Sequence, residues 1–174
     1  STGYRHDDCQ FYMPGFWYRR NLRSPKDAPS FHSSDSWLVR EDRLSAPLTG
    51  VYSEKEKHFV TVSRIDKFAE EALSTHREGE IILSGKTSLG FTGFENQDGI
   101  TALSFGFPYR EAPKSYIRKL TLAPAVEAFQ FLKKGETVLL TWEIQENKAD
   151  DYSDFICHAW EYSYDTYGPK PVET

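Results

Sequence analysis

The chain has 174 residues, which is long enough for one domain with a substantial buried core. Its formal net charge of −5 and pI of about 5.6 argue against a nucleic-acid partner, because no basic face is present to neutralise phosphates. No apolar run approaches the roughly 20 residues of a membrane span, and no signal peptide is visible, so no membrane partner is expected.

The first predicted elements are short strands with period-two alternation. They cover Asp8–Met13, Trp37–Arg40, and a hairpin formed by Leu48–Tyr52 and His58–Ile65 around a polar turn. Lys67–Leu73 is predicted as a short helix or a polar loop, and Glu80–Ser84 as a strand. The glycines at 85, 90 and 93 indicate a mobile stretch after it.

The second half of the chain continues in the same way. Asp98-Gly99 is a turn signal that opens a predicted strand, Ile100–Phe107, and the prolines of Pro108–Pro113 are expected to break it. A further strand is predicted at Tyr116–Leu122. Val126–Leu132 and Thr137–Glu146 are predicted to form a hairpin across the turn at 133–136.

From Asp150 onward the apolar residues recur at the spacing of an amphipathic helix. Asp150 or Asp151 is a suitable N-cap, and Gly168 followed by prolines should end the helix. These carboxylates could attract calcium together with Asp154, but helix capping explains them better. The predicted fold is all-β, an antiparallel sandwich of the supersandwich type with a C-terminal helix.

The segment from Pro14 to Ser36 differs from the rest because it has no sustained period and alternates large aromatics with arginines. Loops of more than about 12–15 residues are uncommon in compact domains unless they function or are disordered. The aromatic content of this loop argues against disorder. We therefore expect an ordered loop that presents rings and guanidinium groups.

The candidate binding residues lie in this loop and just after it. A sugar ring offers an apolar face and a rim of hydroxyls, so it binds to flat aromatics beside fixed donors and acceptors. Alternative interpretations are that the aromatics plug the core or form a domain interface, and these are favoured over direct ligand contact. The carbohydrate- or interface-binding candidates are Trp17, Tyr18, Arg19, Asn21, Arg23, Trp37, Arg40, Asp42 and Arg43.

No catalytic or metal-binding constellation is visible in the sequence. Cys157 and His158 are neighbours about 100° apart on the predicted helix, which does not suit a nucleophile–base pair. The five histidines have no ligand spacing. Cys9 and Cys157 could form one long-range disulfide, although two free buried thiols are favoured. We predict no catalytic residue, no metal and no cofactor.

Four stretches of the chain resemble the N-terminal region of large bacterial glycosidase-like proteins of polysaccharide-degrading bacteria. They are Asp8–Asn21 (DCQFYMPGFWYRRN), Trp37–Leu44 (WLVREDRL), Phe105–Lys119 (FGFPYREAPKSYIRK) and Trp160–Tyr167 (WEYSYDTY). The resemblance implies a galactose-mutarotase-like sandwich at 1–148, a helix at 149–167 and a linker at 168–174. In this family a helical toroid that carries the catalytic acids follows. The resemblance also implies a secreted or periplasmic location.

Together these observations predict a non-catalytic domain that braces a helical catalytic domain absent from this chain and contacts glycan. The start at Ser1 agrees with a processed protein or a segment of a longer one. One alternative is an independent carbohydrate-binding module, which requires exposed rings at Trp17, Tyr18 or Trp37. Another is a small enzyme with its site in the concave face of the sandwich. A structural domain should expose the helix face with Trp160 and Tyr164.

Overall fold

A computed structural model describes residues 1–15, 17–19, 35–66, 88–118, 121–130 and 132–169. The strands in this part of the chain are β1 Cys9–Met13, β2 Trp17–Arg19, β3 Ser36–Arg40, β4 Leu48–Ser53, β5 His58–Arg64, β6 Phe91–Gln97, β7 Ile100–Gly106, β8 Arg110–Arg118, β9 Thr121–Glu127 and β10 Trp142–Lys148. The helix α1 spans Tyr152–Tyr167, and short 3-10 turns lie at His6–Asp8 and Glu41–Arg43.

The described strands form two five-stranded antiparallel sheets. The helix-side sheet has the order β10-β5-β4-β1-β2, and the outer sheet has the order β7-β6-β3-β8-β9. The predicted all-β sandwich with a C-terminal helix is therefore confirmed. The helix packs against the helix-side sheet, largely on β4, so the molecule has three layers.

Successive side chains of β1 point to opposite faces of the sheet, so this one strand contributes residues to two cores. Phe11 and Met13 point into the space between the sheets, where Phe11 stacks on Phe94 with ring centroids 4.0 Å apart. Tyr12 points the other way, into the layer between the sheet and α1. All five β1 residues are buried. Burial is therefore continuous along the strand and includes the polar Gln10, as expected where both faces of a strand are covered.

The second core lies between α1 and the helix-side sheet. Phe155 is fully buried against Tyr52 and Phe59, with ring centroids 6.1 Å and 5.0 Å away. Gly50 makes this approach possible, because a Cβ there would lie 2.6 Å from the Phe155 ring. A side chain larger than hydrogen at this position would push the helix off the sheet.

The helix begins at the predicted cap. The carboxylate of Asp151 accepts a hydrogen bond from the Asp154 N–H at 2.9 Å, which satisfies one of the unpaired donors of the first turn. Gly168 ends the helix in the left-handed region, with φ of 51°. The capping interpretation of these carboxylates is therefore confirmed.

Loss of this cap should weaken the helix measurably. We expect Asp151→Ala to lower the free energy of unfolding by about 1 kcal/mol, whereas Asp151→Asn, an equally good cap, should change it little. Urea unfolding followed by circular dichroism measures both. Equal losses in the two variants would contradict a capping role.

Several strand predictions were wrong, and pairing explains why. Phe91–Gln97, expected to be a mobile stretch, is a strand that pairs with both β3 and β7. The prediction that Pro108–Pro113 breaks the preceding strand is confirmed, since β7 ends at Gly106. A new strand, β8, nevertheless begins at Arg110 and passes through Pro113, where its register with β9 shifts. A proline lacks the N–H that a regular ladder needs, and an irregular position tolerates it. The predicted strand Tyr116–Leu122 instead contains the end of β8 and the start of β9.

The predicted hairpin of 126–132 with 137–146 was also wrong. Strand β9 ends at Glu127 and pairs with β8, whereas β10 pairs with β5 in the opposite sheet. Sequence patterns indicate strands but not their partners. The predictions at Lys67–Leu73 and Glu80–Ser84 lie outside the described residues.

Candidate functional site

The candidate site is a pocket where α1 meets the end of β1. Trp160, Ser163, Tyr164 and Tyr167 recur at i, i+3, i+4 and i+7, so they share one face of the helix. The pocket encloses about 330 Å³. We call it the aromatic pocket; it is lined by Tyr12, Pro14, Gly15, Ser45, Ala46, Trp160, Ser163, Tyr164, Tyr167 and Pro169.

Trp160 is held in place by a single directed contact. Its indole Nε1–H donates to the Tyr12 hydroxyl at 2.6 Å. Tyr12 is only 2% exposed and packs edge-on against Phe155, so the anchor itself is rigid. Trp160 nevertheless remains 63% exposed. The ring is therefore oriented by the core but presents much of its surface to solvent.

Tyr164, one turn further along, is 66% exposed. The exposure expected for the Trp160 and Tyr164 face of the helix is confirmed. The apolar residues whose spacing predicted the helix thus fall into two groups. Phe155 and Ala159 face the sheet and are buried, while Trp160 and Tyr164 face outward beside the pocket.

The polar groups of the aromatic pocket are hydroxyls. Tyr167 donates to the Arg64 carbonyl at 3.0 Å, and burial raises the pKa of its phenol, so the group stays protonated and neutral. The Ser163 hydroxyl donates to the Ala159 carbonyl at 2.7 Å. Among the described lining residues there is no carboxylate, ammonium, guanidinium or imidazole. The described lining of the pocket is therefore aromatic, hydroxylated and uncharged.

The predicted loop is connected to this pocket through β2. Trp17, Tyr18 and Arg19 form a strand rather than irregular loop, in backbone register with Met13, Tyr12 and Phe11. This pairing places the Tyr18 backbone directly opposite that of Tyr12, which lines the pocket. Asn21 and Arg23 lie outside the described residues.

Trp37 is not available as a stacking surface. It is 1% exposed and belongs to the core between the sheets, beside Val39 and Phe94. For Trp37, the alternative interpretation that the aromatic fills the core is therefore the correct one. The binding-module alternative required exposed rings at Trp17, Tyr18 or Trp37, and Trp37 does not meet that condition. The exposed tryptophan among the described residues is Trp160, which was expected to be exposed in a structural domain.

Arg40 and Arg43 are engaged within the fold. The Arg40 guanidinium makes two bonds to the Asp42 carboxylate, at 2.5 Å and 2.9 Å, and lies 5.3 Å from the Tyr109 ring centroid. Arg43 pairs with the buried Glu111. These contacts hold the end of β3 and the following turn against β8, so both arginines have structural roles here.

A second polar cluster, the Glu41–Arg64 cluster, joins the two sheets. One Glu41 oxygen accepts from Arg64 Nη1 and from the Gly90 N–H, both at 2.7 Å. The other accepts from Trp142 Nε1 at 3.2 Å. Burial raises the pKa of the Glu41 carboxyl, against the lowering effect of Arg64 and the other donors. Its side chain is fully buried and that of Arg64 is 1% exposed, so the cluster is closed to a substrate and acts as a structural link.

The two cysteines lie in different environments. Cys9 and Cys157 are both free, and burial raises the pKa of Cys9 to about 11. The expectation that both thiols are buried was wrong for Cys157, which is exposed.

Across the described ranges, no group of three or more His, Cys, Asp or Glu residues is placed to hold a metal ion. Within the same ranges, no helix has both the length and the hydrophobicity needed to cross a bilayer.

Tyr12, Ser45 and Tyr167 were missed as site residues by sequence reasoning. Tyr12 lies within a strand that is buried throughout, and it carries no separate signal in the sequence. Tyr167 could have been found, because it continues the helical spacing from Trp160 and Tyr164.

Comparison of the chain with family models, curated proteins and solved structures found no match.

Proposed function

We propose that this chain is a non-catalytic β-sandwich module of a secreted or periplasmic bacterial carbohydrate-active protein, and that it contacts glycan at the aromatic pocket. The observation that carries the proposal is the geometry of Trp160. Its ring is fixed through Nε1 by a buried tyrosine and is largely open to solvent. A rigid, exposed aromatic beside hydroxyl groups suits a sugar, which has an apolar face and a polar rim.

The resemblance of four stretches to glycosidase-like proteins supports the same assignment. One of these stretches, Trp160–Tyr167, supplies the helix wall of the pocket, and another, Asp8–Asn21, supplies Tyr12, Pro14 and Gly15. The proposal therefore places the glycan contact where two of the resembling stretches meet.

The test is binding to a panel of plant and bacterial polysaccharides by affinity electrophoresis. We expect saturable binding, weakened by about tenfold or more in Trp160→Ala, because a central aromatic commonly dominates such contacts. Glu161→Ala, an exposed neighbour on the same helix, is the matched control and should bind like the unaltered chain. Absence of binding to every polysaccharide would contradict the proposal.

A second candidate function is bracing of a helical catalytic domain, and the exposure of Trp160 and Tyr164 also favours it. Trp and Tyr are enriched at the centres of protein interfaces. Under this alternative the chain binds no glycan, and Trp160→Ala changes only its association with that domain. The panel experiment therefore separates the two functions.

A further inference from the structure

The chemistry of the aromatic pocket also restricts the class of sugar that it can bind. This restriction rests on the proposed glycan contact. We infer that it is a subsite for one uncharged saccharide ring, stacked on Trp160, and that it discriminates against uronate, sulfated and phosphorylated sugars.

The size suits a small ligand unit. Ligand pockets in proteins commonly measure roughly 300–1,000 Å³, and the aromatic pocket, at about 330 Å³, lies at the small end of that range. Two of the residues that line it, Trp160 and Tyr164, remain largely exposed to solvent. A chain of sugars could therefore place one ring inside and continue outward.

The surfaces suit a ring with one apolar face. The indole of Trp160 offers a flat platform that cannot turn freely, because its N–H is bonded to Tyr12. Pro14, Ala46 and Pro169 add apolar walls. The hydroxyl-bearing side chains of Ser45, Ser163 and the tyrosines lie around the same pocket. Hydroxyls can both donate and accept, which matches sugar hydroxyls without requiring charge.

The charge of the described residues around the pocket disfavours anions. The described lining residues include no cationic side chain, and anionic groups are recognised chiefly by Arg, Lys or helix N-termini. The helix end at the pocket is the C-terminal end of α1, which carries partial negative charge. The exposed acids Glu161 and Asp165 adjoin Trp160 and Tyr164 in the helix. A carboxylate or sulfate placed here would lose hydration without gaining a cationic partner among the described lining residues.

The inference is tested by calorimetric titration of the whole chain with neutral and anionic oligosaccharides of matched length. The neutral probes are gluco-, galacto-, manno- and xylo-oligosaccharides, and the anionic probes are oligogalacturonates and sulfated galactans. We expect neutral probes to bind at least about tenfold more tightly. We also expect binding to weaken in Trp160→Ala and to survive partly in Trp160→Phe, which keeps a flat ring.

A charge variant gives a second, independent readout. Ser45 is exposed on the pocket wall, so Ser45→Lys should fold normally and add a cation at the site. It should strengthen binding of oligogalacturonate several-fold and weaken that of the neutral probe. Gln97→Lys adds the same charge at an exposed position on the outer sheet and should change neither affinity.

The outcomes separate this inference from the proposed function. Equal or tighter binding of the anionic probes overturns the inference but leaves the glycan contact in place. Neutral binding that persists in Trp160→Ala places the site elsewhere and also overturns it. Binding of no probe overturns both. Circular dichroism and thermal unfolding of each variant show that a loss of affinity is not a loss of fold.

Discussion

Replacement of Arg64 by methionine should lower the free energy of unfolding by about 3–5 kcal/mol at neutral pH, because it leaves a buried carboxylate without its cation. Glu41 lies between the sheets with a fully buried side chain, 2.7 Å from Arg64 Nη1. The Gly90 N–H and the Trp142 indole remain as donors, but neither carries charge. Urea unfolding followed by tryptophan fluorescence measures the loss.

The size of this loss should depend on pH in a defined direction. Burial already raises the pKa of Glu41 in the folded protein, and removal of Arg64 raises it further. The folded state then binds more protons than the unfolded state, whose Glu pKa is about 4.3. Stability of the variant therefore falls as pH rises above that value. The deficit should therefore be smaller near pH 4 than at pH 7.

The control is a double-variant cycle. Glu41→Gln keeps an acceptor for Gly90 and Trp142 but removes the charge, and in combination with Arg64→Met it should recover most of the lost stability. It should also abolish the steep pH dependence. Additive losses, or a deficit in Arg64→Met that is the same at pH 4 and pH 7, would contradict an ionic link between the sheets.

Replacement of Phe155 by alanine should cost about 3–5 kcal/mol, the range typical of a buried phenylalanine. Phe155 is fully buried and contacts the rings of Tyr12, Tyr52 and Phe59. The rigid aromatic surroundings cannot close on the space it leaves, so a cavity remains. Urea unfolding monitored by circular dichroism and by fluorescence measures the change.

The Phe155 variant should also lose the proposed glycan binding. The aromatic pocket lies between α1 and the end of β1, and Phe155 is the main buried contact that holds α1 on the sheet. Loosening the helix separates Trp160 from Tyr12. Glu161→Ala, on the exposed side of the same helix, should change stability by less than about 0.5 kcal/mol. A Phe155→Ala loss below about 1 kcal/mol would show that other contacts dock the helix.

Local features of this protein were predictable from its sequence. The strand at His58–Arg64 shows a clear alternation, and the helix from Tyr152 carries its cap, its period and its terminal glycine within the segment itself. Such signals depend on residues a few positions apart, because backbone propensity, capping and side-chain periodicity are short-range effects. The fold class follows from the number of such strands.

What required the tertiary structure was the pairing of segments distant in the chain. Strand β10 pairs with β5 and not with the segment that precedes β10 in the chain. Sequence alone does not decide this, because several strands with the same alternation could pair with the same sheet edge. Trp37 and Trp160 illustrate the same limit at the site. Their side chains are chemically identical, but Trp37 lies in the core between the two sheets, whereas Trp160 lies beside Tyr12 at the surface. Composition and spacing determined that this chain forms a sandwich with a helix, whereas packing between sheets and helix decided which aromatic is exposed.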